Sequence, residues 1–122
     1  MSVQYTASHE WIAIDGDHAT VGITSRAASL LGDLVFVQMP DVGARIARGA
    51  QAAVLESVKS AADVYAPLSG TITEVNAAVV AEPAIVNADP MDAGWLFRLQ
   101  LSEPSEAATL LSAADYEQLD HE

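Results

Sequence analysis

The chain contains no cysteine. Disulfide scaffolds, thiol nucleophiles and Cys-based metal sites are excluded with it. Any redox chemistry has to arrive on a group added to the chain. Positive charge is nearly as scarce: 5 Lys and Arg stand against 17 Asp and Glu, a net charge of −12. Phosphate-backbone binding runs on Lys and Arg, so nucleic acid is a poor partner, and an anionic membrane surface is equally poor. No stretch approaches the roughly 18 apolar residues of a membrane span. The start, Met1-Ser2-Val3-Gln4-Tyr5, lacks the basic and apolar regions of a secretory signal and the Arg-rich character of a transit peptide. A cytoplasmic protein, or a mature mitochondrial one, is expected.

Recognisable catalytic patterns are missing too. His9, His18 and His121 lie far apart and show no ligand spacing, so no metal site is expected. The 7 glycines are dispersed, with no Gly-x-Gly-x-x-Gly and no phosphate loop. No serine sits in a Gly-x-Ser-x-Gly elbow. Adjacent strand residues point to opposite faces, so His9 and Glu10 do not form an acid–base unit. A carrier or binding role, not an enzyme, gains by exclusion.

What is present is a run of short strands. The 122 residues suit one domain, 1–122, with a core over about 3–101. Alternation and β-branched or aromatic content predict strands at Glu10–Ile14, Ala19–Ile23, Asp33–Met39, Gln51–Val58, Ala62–Tyr65, Thr71–Val75 and Trp95–Leu101. In the third of these, Leu34 and Phe36 read as one face. Thr24 or Ser25 caps a short internal helix that runs to Leu31 and stops at Gly32. After Pro104 the spacing turns helical, over Ser105–Leu111 and Ser112–Leu119, a C-terminal extension of about 105–120. Ser102 or Ser105 would cap the first helix and Ser112 the second. The class is mainly β, a compact sandwich or barrel.

One residue stands out in this frame. Lys59 is the only lysine, and it falls where two strands meet, in Glu56-Ser57-Val58-Lys59-Ser60. The turn has no glycine, which suits a type I or looser loop. Glu56 and Asp63 flank the amine and keep it solvated. An exposed lysine amine can be acylated, losing its charge and gaining a chemically active group.

The residues resemble the H protein family of the glycine cleavage system. The likeness runs through Tyr5, Ser8-His9-Glu10-Trp11, Val21-Gly22-Ile23-Thr24, Leu31 to Val37 and Pro40-Asp41-Val42-Gly43. It continues through Glu56-Ser57-Val58-Lys59-Ser60, Asp63 to Gly70, Val75-Asn76, Pro83, Val86-Asn87, Pro90 and Gly94-Trp95. The Glu-Ser-Val-Lys core with Tyr-Ala-Pro-x-Ser-Gly at this spacing is its specific part. Gln38, Met39 and Ser60 depart from residues the family often has, Glu, Leu and Ala.

The resemblance implies a barrel-sandwich hybrid of the lipoyl/biotinyl type, with lipoate amide-linked to Lys59 and Glu56, Ser57, Val58 and Ser60 as the modification context. It implies a cycle of partners. A pyridoxal-phosphate glycine dehydrogenase (decarboxylating) loads the aminomethyl group. A tetrahydrofolate-dependent aminomethyltransferase removes it, and dihydrolipoamide dehydrogenase reoxidises the dithiol. A lipoyl or octanoyl transferase, or a lipoate ligase, attaches the cofactor, and a monomer is expected. By position, Ser8, Glu10 and Asp63 match residues associated with a cleft that shelters the loaded arm.

Four other readings stand beside this one, among them a purely structural β domain, which predicts no modification at all. A 2-oxo acid dehydrogenase lipoyl domain would share fold and modification, but usually carries Asp-Lys-Ala at the lysine and is fused to a larger chain. A biotin carrier normally has Met on both sides of its lysine, where this chain has Val58 and Ser60. A lipoate-relay protein, handing its lipoyl group to other enzymes, is not separable by sequence. Acidity either keeps the chain soluble or steers it to enzymes with basic rims. Steering predicts that the KM of those enzymes for this chain rises steeply with ionic strength; a flat salt profile leaves solubility as the whole explanation.

Overall fold

The computed structural model describes residues 2–118. In chain order these form β1 (Ser2–Tyr5), β2 (Glu10–Asp15), β3 (His18–Ile23), α1 (Ser25–Leu31), β4 (Leu34–Gln38), β5 (Arg45–Ile46), β6 (Gln51–Ser57) and β7 (Ala61–Tyr65). Then come β8 (Gly70–Val75), α2 (Ala77–Ala81), α3 (Ala84–Ala88), β9 (Phe97–Leu101), a 3-10 helix (Pro104–Thr109) and α4 (Ala113–Glu117). One sheet has six strands in the order β1-β2-β3-β9-β8-β5, the other three in the order β4-β6-β7. Their pairings are antiparallel, and neither sheet closes into a barrel. The expected mainly-β, barrel-sandwich-hybrid class fits this arrangement.

Period-two alternation explains the core. Phe97, Leu99 and Leu101 of β9 are buried while Gln100 is exposed, and Ala19, Val21 and Ile23 of β3 turn to the same interior. Ala53 and Leu55 of β6 and Val64 of β7 face them from the other sheet. Fully burying a side chain such as Leu55 contributes about 2 kcal/mol. Two glycines make close approaches possible. Trp11 lies over Gly22, where a Cβ would come within 2.6 Å of its indole nitrogen. The indole N–H donates to the Pro90 carbonyl at 2.9 Å. At Gly70, a strand residue between β5 and β9, a Cβ would stand 2.3 Å from the Gln100 carbonyl oxygen.

Helix α1 starts and stops as its sequence dictates. The Thr24 hydroxyl accepts from the Ala27 amide, and Gly32 at φ 80° receives the C-terminus. Three expectations need correction. First, Leu34 and Phe36 do not share a face: a bulge between them turns both Val35 and Phe36 outward, leaving Leu34 and Val37 buried. An extra residue in one strand breaks the period-two rule locally. Second, the internal helix is not alone, because Asn76 caps α2, and α3 follows it. Third, the first C-terminal helix is a 3-10 turn starting at Pro104 with no side-chain cap, and Leu110 and Leu111 lie beyond it. Ser112 does cap α4, accepting from Asp115. The remainder of the predicted second helix, Leu119 onward, and His121 lie outside the described residues.

Replacing Gly70 by alanine forces backbone apart where two strands meet. Gly70→Ala is expected to lower stability by about 2 kcal/mol, read as a fall in the urea midpoint.

Candidate functional site

Lys59 stands at the tip of the β6–β7 hairpin, exposed to solvent. Ser57 makes the turn possible without glycine. Its amide donates to the Ser60 carbonyl at 2.7 Å, and its hydroxyl accepts from the amides of Lys59 and Ser60, both at 3.1 Å. A serine hydroxyl that takes up turn amides in this way substitutes for backbone pairing. The Val58 amide then donates to Asp33 at 3.1 Å, tying the tip to the α1–β4 junction.

That junction is itself braced. Asn87 of α3 donates from Nδ2 to the Gly32 carbonyl at 2.8 Å and accepts at Oδ1 from the Leu34 amide at 2.9 Å. The Lys59 side chain crosses the open face of Gly32, where a Cβ would sit 3.1 Å from its Cε. Its Nζ donates to the Leu30 carbonyl at 3.3 Å, and it pairs with no carboxylate among the described residues. Leu30, Val35, Phe36 and Val58 are exposed near this end of the molecule, with Asp33 and Glu56 also exposed.

The second feature is a cleft of about 280 Å³ between the loop before β2, the end of β7 and the chain after the 3-10 helix. Glu10 lines it, although only 3% of its surface is exposed. The Glu10 carboxylate accepts from the hydroxyls of Thr6 at 2.5 Å and Ser8 at 2.9 Å, and from the Tyr65 amide at 3.5 Å. No cation pairs with it among the described residues. Arg48 shares the cleft lining but turns its Nε toward Glu106, 3.9 Å away. A buried carboxylate held only by neutral donors is an expensive arrangement that a bound cation would relieve.

The structure therefore brings Ser8 and Glu10 together. Asp63 does not line the cleft; its carboxylate accepts from Gln51 Nε2 at 2.7 Å, and it stands on β7 between Lys59 and Tyr65. His9 and Glu10 do face apart, His9 meeting Tyr116 and Glu10 the cleft. Thr6, Tyr65, Asn87 and Tyr116 escape the sequence reading as site residues. Tyr65 and Asn87 fall within the family-like motifs, but nothing in the sequence gives any of the four a role at the site, since each acts through a fold contact rather than a spacing. Among the described residues no cluster of three metal-ligating side chains occurs, and no helix is long and apolar enough to cross a membrane.

Comparison with known proteins places the chain in a family and a fold. The glycine cleavage H-protein family model matches residues 3–122. Among solved structures, a glycine cleavage system H protein from Mycobacterium marinum is similar at 44% identity and a TM-score of 0.84, over 94% of this chain and 93% of that one. With the family matched over nearly its whole length and the same fold at high identity, this chain belongs to the glycine cleavage H-protein family, and a lipoyl carrier role goes with that membership.

Proposed function

We propose that this chain carries lipoate on an amide to Lys59 and presents it to the enzymes of glycine cleavage. One observation carries the reading: the only lysine of the chain projects from a glycine-free, serine-closed hairpin tip with its amine exposed and unpaired with acid among the described residues. When bound, lipoate supplies a dithiolane whose sulfurs take up an aminomethyl group and are later reoxidised. The chain's own part is placement. Asp33 and Ser57 hold the tip, so that a loading enzyme meets a fixed turn. A tethered group then acts at high effective concentration on each partner.

The partners of this reading are the pyridoxal-phosphate glycine dehydrogenase, the tetrahydrofolate-dependent aminomethyltransferase and dihydrolipoamide dehydrogenase. A lipoyl or octanoyl transferase, or a lipoate ligase, loads the chain. The cleft lined by Thr6, Ser8, Glu10 and Tyr65 would hold the arm between these visits. Glu10 would meet a cationic end of that arm, its carboxylate held in place by the Ser8 and Thr6 hydroxyls. Asp63 adds negative charge along β7, between the tip and the cleft. By excluding water, the cleft would protect the arm against hydrolysis to formaldehyde, ammonium and a free thiol.

Chain made in cells supplied with lipoate is expected to show a single lipoyl mass increment, mapped by peptide to Lys59 and lost in Lys59→Arg. An unmodified chain beside a competent ligase would overturn the carrier assignment. In the loaded chain, Glu10→Gln is expected to speed formaldehyde release roughly tenfold, the scale of one charged hydrogen bond. An unchanged release rate would remove Glu10, and the cleft, from the reading.

A further inference from the structure

The carboxylate of Glu10 is aimed by the residue before it. His9 has φ 70°, and it is the one non-glycine residue with positive φ among those described. That left-handed conformation costs a bulky residue of order 1 kcal/mol and persists only where its surroundings impose it. Backbone bonds fix part of it: the His9 amide donates to the Thr6 carbonyl at 3.1 Å, and the His9 carbonyl accepts from the Thr24 amide at 3.0 Å. The His9 ring then meets the C-terminal extension. Its Nδ1 and the Tyr116 hydroxyl share a hydrogen bond of 2.6 Å.

Tyr116 is buried, stacked on Tyr5 with centroids 4.8 Å apart, and its hydroxyl also lies 2.9 Å from Thr24 Oγ1. Thr24 is the cap of α1, whose far end carries the Leu30 carbonyl under Lys59. The same extension forms a wall of the cleft through Thr109, Leu110 and Leu111. Leu111 exchanges backbone hydrogen bonds with Tyr5, at 2.7 and 2.8 Å. One phenol hydroxyl thus joins the turn that orients Glu10, the helix under the carrier lysine and the strip of chain that walls the cleft.

We infer that Tyr116 is a positioning residue of the arm cleft, which its hydroxyl keeps shaped by holding His9 in its left-handed turn against the C-terminal wall. The inference rests on the cleft reading above. It assigns to the C-terminal extension a part in protecting the loaded arm, beyond covering the sheet edge. Removing the hydroxyl takes one side-chain restraint from His9, loosens the Glu10 carboxylate at the Tyr65 amide and admits more water to the cleft.

The test uses the full chain with Tyr116→Phe, which keeps the ring on Tyr5. His9→Phe is the second variant, since it removes Nδ1 and keeps a bulky ring that disfavours positive φ, and the double variant completes the set. In the unloaded chain, hydrogen exchange at the Tyr65 and Thr24 amides is expected to rise about threefold to tenfold in each single variant, the scale of one hydrogen bond. Exchange in β9 is expected to stay as in the parent. Formaldehyde release from the loaded arm is expected to rise by a similar factor, and the double variant to go no further than either single one, as for residues acting through one contact.

Acceleration of exchange at every amide, β9 included, would make Tyr116 a plain stabilising residue and overturn the inference. So would parent-like exchange and release in Tyr116→Phe beside faster release in Glu10→Gln, an outcome that leaves the cleft reading standing. Parent-like release in Glu10→Gln itself would fell the cleft reading and this inference together.

Discussion

The site hangs on one side-chain amide. Asn87 reaches from α3 to both sides of Asp33, donating to Gly32 and accepting from Leu34. With both flanks fixed, the Asp33 carbonyl points at the Val58 amide and the hairpin tip is pinned to the body of the molecule. Gly32 leaves its Cβ space to the lysine stem. An aliphatic residue at 87 would strand a carbonyl and an amide at once, the costly way to lose a hydrogen bond. Lys59 is thus supported by residues distant in sequence, and a short helix before β9 delivers one of the amides that do so.

The cleft shows the opposite economy. Burying Glu10 is unfavourable, and the fold offsets it with the Thr6 and Ser8 hydroxyls and a long contact to the Tyr65 amide rather than with a guanidinium. Arg48 is near enough to line the same cleft, yet it leans on Glu106, which in turn anchors Ser69 through amide and hydroxyl at 2.7 and 3.0 Å. An internal salt bridge at Glu10 would neutralise the carboxylate and occupy the cleft beside it. Neutral donors keep the carboxylate oriented without consuming its charge.

Much of this fold is legible in the sequence because local rules act in register with the global pattern. Thr24, Gly32 and Ser112 cap as their types require, and β9 alternates as its letters do. The bulge at β4 was illegible, because nothing in the apolar run Leu34-Val35-Phe36 marks the one residue more that β4 carries against β6. β1 carries too few apolar residues to announce itself and exists by pairing with β2. Helices α2 and α3 are five residues each, too short for a period to show. At the site, Lys59 was visible through rarity and position. Tyr116 was not, since no spacing relates a residue near the C-terminus to His9, 107 positions away.

The absence of glycine from the hairpin tip has a mechanical meaning. With Ser57 saturating the turn and Asp33 gripping Val58, backbone torsions at Lys59 are spent, and free rotation begins at its side chain. A group attached there samples a volume whose centre is fixed in the molecular frame, like a line cast from a rigid rod rather than from a slack one. The space such a group can reach is then set by side-chain rotors alone.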